Sequence, residues 1–139
     1  MPDISIQQVV NALLDQSKIF PVRYMHRLSD LPPDEASAIE KVWPSISPQR
    51  RTALLEDLEQ LGEVDDILFF DELCRIALKD DLPAVRLTAI QILRAYEATD
   101  LIPTFLTMME KDSSPDVRAA AAAAMGGFVY MGEIEEISS

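Results

Sequence analysis

The sequence predicts an all-α fold assembled from repeated helix pairs, and three observations carry that expectation. Apolar residues recur at helical spacing between start and stop signals. No run alternates apolar and polar residues between turn signals as a strand would. One stretch of chain repeats itself 32 residues further on.

The helices follow in order. Ser5-Ile6-Gln7-Gln8 reads as a capping box with Gln8 at the third helical position, opening a helix whose inner face is Ile6, Val9, Val10, Leu13 and Leu14. Pro21 to Leu28 reads as a short second helix. Pro33 stands at the first position of a third, which runs to Trp43 and is stopped by Pro44. Ser47-Pro48 supplies cap and first residue for a fourth, with Leu54, Leu55, Leu58 and Leu61 inward and Gly62 as its end. A fifth spans Asp66 to Lys79 and a sixth Pro83 to Glu97. Asp100 is expected to cap a seventh that reaches Glu110, with Pro103 in its first turn. Ser114-Pro115 opens an eighth that ends at Gly126-Gly127.

The repeat is read by laying 79–86 over 111–118. Lys79, Asp80, Pro83, Val85 and Arg86 recur as Lys111, Asp112, Pro115, Val117 and Arg118. Ala89 then meets Ala121 and Leu93 meets Met125. Upstream, Leu73, Ile76 and Ala77 meet Phe105, Met108 and Met109. A period of this size with two helices per unit is that of an α-solenoid. At a spacing of 35, Arg51, Leu54, Leu55 and Leu58 fall where Arg86, Ala89, Ile90 and Leu93 fall, a weaker unit with Ser45 at the Asp position. Leu82 stands where the later unit has Ser114, so its turn is expected to be held by Asp81 or by packing.

The pattern Asp80, Val85-Arg86, Ala89, Leu93, repeated as Asp112, Val117-Arg118, Ala121, Met125, resembles the second helix of a HEAT repeat over residues 66–127. Val42-Trp43-Pro44 and Ser47-Pro48-Gln49-Arg50-Arg51 look like the N-terminal portion of bacterial HEAT-repeat proteins of unassigned role. The resemblance implies a right-handed α-α superhelix with an atypical N-terminal helical cap. It implies one domain over 1–139: a cap (1–30), a degenerate repeat (33–62), two repeats (66–97 and 100–127) and the start of a truncated repeat or tail (128–139). It implies a structural ladder in which Arg86 and Arg118 each pair with Asp80 or Asp112, within or between repeats, because a carboxylate–guanidinium fork fixes both distance and angle. It also implies that the second helices line a concave binding face, at Leu87, Gln91 and Arg94 on one and Ala119, Ala123 and Gly126 on the other.

Charge removes several function classes. The chain carries 24 acidic and 12 basic residues, a formal charge of -12. It repels a phosphate backbone and an anionic membrane surface, so neither nucleic acid nor membrane is an expected partner. The longest uncharged run, Ala119–Gly132, is 14 residues, too short to span a bilayer. One cysteine excludes an internal disulfide framework. With no basic segment leading an apolar one at the start, a cytoplasmic location is the expectation.

Chemistry-bearing residues are few. His26 has Asp30 one helical turn away, but no motif sets a nucleophile beside the pair, so a surface or capping histidine is expected. Cys74 lies between Leu73 and Ile76 and reads as a buried structural thiol. Some HEAT-like proteins are bilin lyases, the alternative function; others repair DNA lesions, which needs a cationic groove that this charge opposes. The acid pairs Asp65-Asp66, Asp80-Asp81 and Glu135-Glu136 lack a calcium-loop pattern and read as solvated caps. No Gly-rich phosphate loop is present. Trp43 is expected in the core. Residues 119–124 are all alanine, which offers no acid, base or ligand.

The expected function is therefore a non-catalytic scaffold that needs no cofactor or metal and binds another protein on the concave face. A further period of 32 starting near Glu135 would exceed the chain, so the expectation is a fragment of a longer solenoid, or self-association covering Met108, Met109, Met125 and Phe128.

Overall fold

A computed structural model describes residues 3–130. The described residues are helical with no strand, and the chain divides into two compact units, 1–77 and 78–139.

The first unit contains α1 (Ile6–Leu14), α2 (Val22–Arg27), α3 (Pro33–Val42), a 3-10 turn (Trp43–Ser45), α4 (Pro48–Val64) and α5 (Asp71–Ala77). Its helices start where short polar side chains and prolines permit. Ser5 Oγ accepts from Gln8 N at 3.1 Å while Gln8 Oε1 accepts from Ser5 N at 2.8 Å, so two free amides are satisfied reciprocally. Ser47 Oγ accepts from Arg50 N at 3.1 Å. Pro33 and Pro48 open α3 and α4, where no amide hydrogen is needed. Helix α3 packs on α1 and α5. Its core includes Val9, Leu13, Leu28, Ile39, Trp43, Leu55, Leu58 and Phe70, all at or below 5% exposure.

Two arginines tie this unit together across sequence. Arg27 forks onto Glu35, Nη1 to Oε1 at 2.7 Å and Nη2 to Oε2 at 2.8 Å, and donates through Nε to Ile4 O at 2.7 Å. The pairing holds the Glu35 carboxyl below its usual range. Arg50 donates to the main-chain carbonyls of Asp15 and Lys18 and lies over the Phe20 ring at 5.8 Å.

The second unit contains α6 (Pro83–Leu93), 3-10 turns at Arg94–Tyr96 and Thr99–Leu101, α7 (Ile102–Lys111) and α8 (Pro115–Tyr130). Helix α8 packs on both α6 and α7. Val85, Ala89, Ile90 and Leu93 of α6, Phe105 of α7 and Val117, Ala121 and Phe128 of α8 are buried. Phe105 and Phe128 stack with ring centroids 6.3 Å apart.

Several sequence expectations need correction. Leu14 is 38% exposed, because α1 ends at that residue, and Leu61 is half-buried. Pro44 does not end the third helix in open chain; it is absorbed into the 3-10 turn that follows Val42. Gly62 lies inside α4, which continues to Val64, and Gly126 and Gly127 lie inside α8, which continues to Tyr130. None of these three glycines has a left-handed φ, so none performs the stop that glycine can provide. The fifth helix begins at Asp71, since residues 65–70 are held in a turn by Asp65 and Ser29. Helix α6 tightens to 3-10 geometry at Arg94, and Glu97 takes φ 56. Asp100 sits within a 3-10 turn, and Leu101 occupies the cap of α7. Phe128 is 2% exposed, while Met108, Met109 and Met125 are half-buried. Residues 131–139, where the next repeat was expected to start, lie outside the described part.

Candidate functional site

The repeated motif produces the same local geometry twice in the second unit. Asp80 Oδ1 accepts from Leu82 N at 2.8 Å, and Asp112 Oδ1 accepts from Ser114 N at 2.9 Å. Each is an Asx turn that leads into a proline-opened helix. The turn at Leu82 is thus held by Asp80. Six residues after each Asp, an arginine reaches back. Arg86 Nη1 donates to Asp80 O at 2.9 Å, and Arg118 Nη1 donates to Asp112 O at 2.7 Å.

The two copies are joined by side chains. Arg86 Nε donates to Asp112 Oδ2 at 3.0 Å and Arg86 Nη2 to Asp112 Oδ1 at 2.8 Å, with both side chains about a tenth exposed. The Arg86 guanidinium, together with the Ser114 amide and the more distant Arg118, holds the Asp112 carboxyl below its usual range, against a smaller opposing effect of burial. Arg118 differs from Arg86 in what it is seen to hold: the Asp112 main-chain carbonyl.

With Val85, Ala89 and Leu93 turned inward, α6 leaves Gln91 and Arg94 exposed and Leu87 half-buried on one side. With Val117, Ala121, Ala124 and Phe128 turned inward, α8 leaves Ala119, Ala123 and Gly126 exposed at the same helical spacing. On α8 that surface is nearly smooth. It holds no nucleophile, acid or base.

The remaining chemistry-bearing residues are dispersed. Cys74 is fully buried on α5, where burial, and secondarily the charge of Asp71, push its thiol well above the ordinary range. A thiol so placed stays protonated at neutral pH and is a poor nucleophile. His26 is exposed on α2. Asp30 takes φ 54 and gives its amide to Phe69 O at 2.8 Å. Trp43 is 5% exposed and its ring is core. Among the described residues no group of three His, Cys, Asp or Glu is placed to hold a metal ion, and no helix is long and apolar enough to cross a membrane.

Two grooves in the first unit were not visible in the sequence. They flank the exposed side chain of Ile19. One, of 530 Å³, is lined by Phe20, Met25, Arg50 and Leu54. The other, of 390 Å³, is lined by Asn11, Asp15, Arg23 and Tyr24. They arise because Arg50, on α4, draws in the loop at Asp15–Lys18, a pairing across more than thirty residues that helical periodicity does not report.

A family model described as HEAT repeats matches residues 70–137. No curated protein and no solved structure matches the chain.

Proposed function

Residues 70–137 make this chain a HEAT-repeat protein, and from that premise we propose that it is a non-catalytic scaffold that binds another protein on the concave surface of its second helices. HEAT repeats are helical units often used for protein interaction. The observation that carries the reading is the surface of α6 and α8: Gln91, Arg94, Ala119 and Ala123 are exposed, Leu87 is half-buried, and all ride on helices whose register the Arg86–Asp112 fork holds. In a HEAT array this is the concave side.

Small side chains on a rigid helix let a partner's backbone approach closely at little entropic cost. Leu87 offers apolar area, and Gln91 and Arg94 offer hydrogen bonds at the edge. The buried, protonated Cys74 and the exposed His26, with no nucleophile placed beside it among the described residues, support a non-catalytic role over a bilin-lyase one. We extend the reading to a domain that needs no cofactor and that avoids nucleic acid and membrane because of its -12 charge.

The test is site-specific photocrosslinking in host lysate. A photoreactive residue is placed at Gln91, at Ala123, or at the control position Arg23. A protein captured from positions 91 and 123 and not from 23 supports the reading. Capture from all three alike, or from none in a folded protein, overturns it.

A further inference from the structure

The 35-residue spacing that lays Arg51 on Arg86 lays Thr52, Glu56 and Glu59 on Leu87, Gln91 and Arg94. One turn further along α4 comes Glu63. The corresponding face of α4 is therefore acidic. Residues 52–74 hold eight acids and no lysine or arginine. The crowding is felt at Glu59, whose carboxyl is raised by burial and then by the charges of Glu63 and Glu56.

Next to this stripe stand two bare aliphatic side chains. Val64, the last residue of α4, is 83% exposed, and Ile67 is 84% exposed. Their backbone is firmly tied. Asp65 N donates to Leu61 O at 3.0 Å, Ile67 N to Asp65 Oδ1 at 3.1 Å, and Phe69 N to Ser29 Oγ at 2.8 Å, while Phe69 O accepts from Asp30 N at 2.8 Å. An apolar residue held out on an ordered turn has already lost the backbone entropy that docking would otherwise remove.

Charge selects the occupant. A second copy carries the same -12 and is repelled, and so are nucleic acid and anionic lipid. Residues 131–139 of this chain add three glutamates, Glu133, Glu135 and Glu136, and no lysine or arginine, so their charge opposes docking on the stripe. We propose that the Val64–Ile67 turn and the carboxylates of α4 dock a cationic amphipathic segment of a partner protein. Its aliphatic side chains seat on Val64 and Ile67, and its Lys or Arg side chains face Glu56, Glu59, Glu63 and Asp66. This rests on the reading that the chain binds another protein, and it gives that partner a chemistry.

Fluorescence anisotropy with synthetic peptides tests it on the full chain. The probes are an amphipathic Lys/Leu helix, a Lys/Ser peptide of equal charge and a Glu/Leu helix. The Lys/Leu probe is expected to bind, and to weaken as salt rises from about 50 to about 300 mM. Val64→Ser with Ile67→Ser weakens it about tenfold or more. Both side chains are exposed, so thermal melting is unchanged and certifies the fold. Glu56→Gln with Glu63→Gln flattens the salt dependence. The proposal is overturned if the Lys/Leu probe does not bind, if the Lys/Ser peptide binds as tightly, or if the aliphatic double variant binds as before. Self-association in sedimentation that the double variant abolishes makes a second copy the occupant, and overturns it too. Photocrosslinks at positions 91 and 123 keep the two readings apart. Their persistence without a peptide effect sinks only the α4 surface, and their absence with a peptide effect sinks only the α6–α8 face.

Discussion

Arg86 meets Asp112 through two parallel N–H···O bonds of 3.0 and 2.8 Å, and the same carboxylate accepts the Ser114 amide at 2.9 Å. One side chain thus starts α8 and ties it to α6. The pair is mostly buried, so losing either partner strands the other.

Arg86→Ala is expected to destabilise the fold by about 3 kcal/mol, a fall in melting temperature of about 10 °C. Arg86→Lys keeps the charge but cannot fork, and should recover only part of the loss. A double-mutant cycle with Asp112→Ala, followed by thermal melting, measures the coupling. An Arg86→Ala protein that melts with the parent would show that the fork holds nothing.

Acid should weaken the same contact. Asp112 ionises more readily in the folded chain than its ordinary value of 3.8. Its contribution is therefore fully present above that value and is lost as pH falls through the lower, folded one. Asp112→Asn should cost about 2 kcal/mol at pH 7, with the gap to the parent closing below about pH 4. Urea unfolding across pH checks this, and a gap that persists unchanged at pH 2 contradicts it.

The helix-interior glycines offer gains. A Cβ at Gly126 or Gly127 meets nothing within 4 Å, and both residues are helical. Gly126→Ala and Gly127→Ala should each stabilise by about 0.5–1 kcal/mol by restricting the unfolded chain. Chemical denaturation of the single variants decides the sign.

Cys74 should resist thiol reagents in the native protein. Its side chain is fully buried and its thiol is pushed above the ordinary range. Labelling with an aromatic disulfide is expected to track unfolding, becoming rapid only in denaturant. Cys74→Ser should cost about 1–3 kcal/mol by burying a hydroxyl. Stoichiometric labelling of folded protein within seconds would contradict this placement.

The sequence reports best what is written locally. Ser5 with Gln8, Ser47 and the prolines at 33, 48, 83 and 115 mark helix starts because each satisfies or omits a free amide within one turn. Helix ends are less legible. Gly62, Gly126 and Gly127 stop a helix only where the chain needs a left-handed φ, and α4 and α8 simply continue past them. The start of α5 is hidden because Ser29, forty residues away, fixes the preceding loop. The motif at 79–86 and 111–118 exposes Asp80, Arg86, Asp112 and Arg118, but not the different acceptors that the two arginines take. The contacts of Arg27 with Glu35 and of Arg50 with the carbonyls of Asp15 and Lys18 leave no periodic trace in the sequence.

The Arg86–Asp112 fork closes a loop of only 26 residues, and α7 and α8 are joined by a turn. The contacts that organise the second unit are therefore short in sequence, and the entropy lost in forming each grows only slowly with loop length. A chain of this kind collapses quickly, without waiting for distant partners. As residues leave the ribosome in order, α6 meets α8 soon after Asp112 and the next three turns emerge. The acidic stretch at 52–74 has by then already been made, its like charges discouraging premature association.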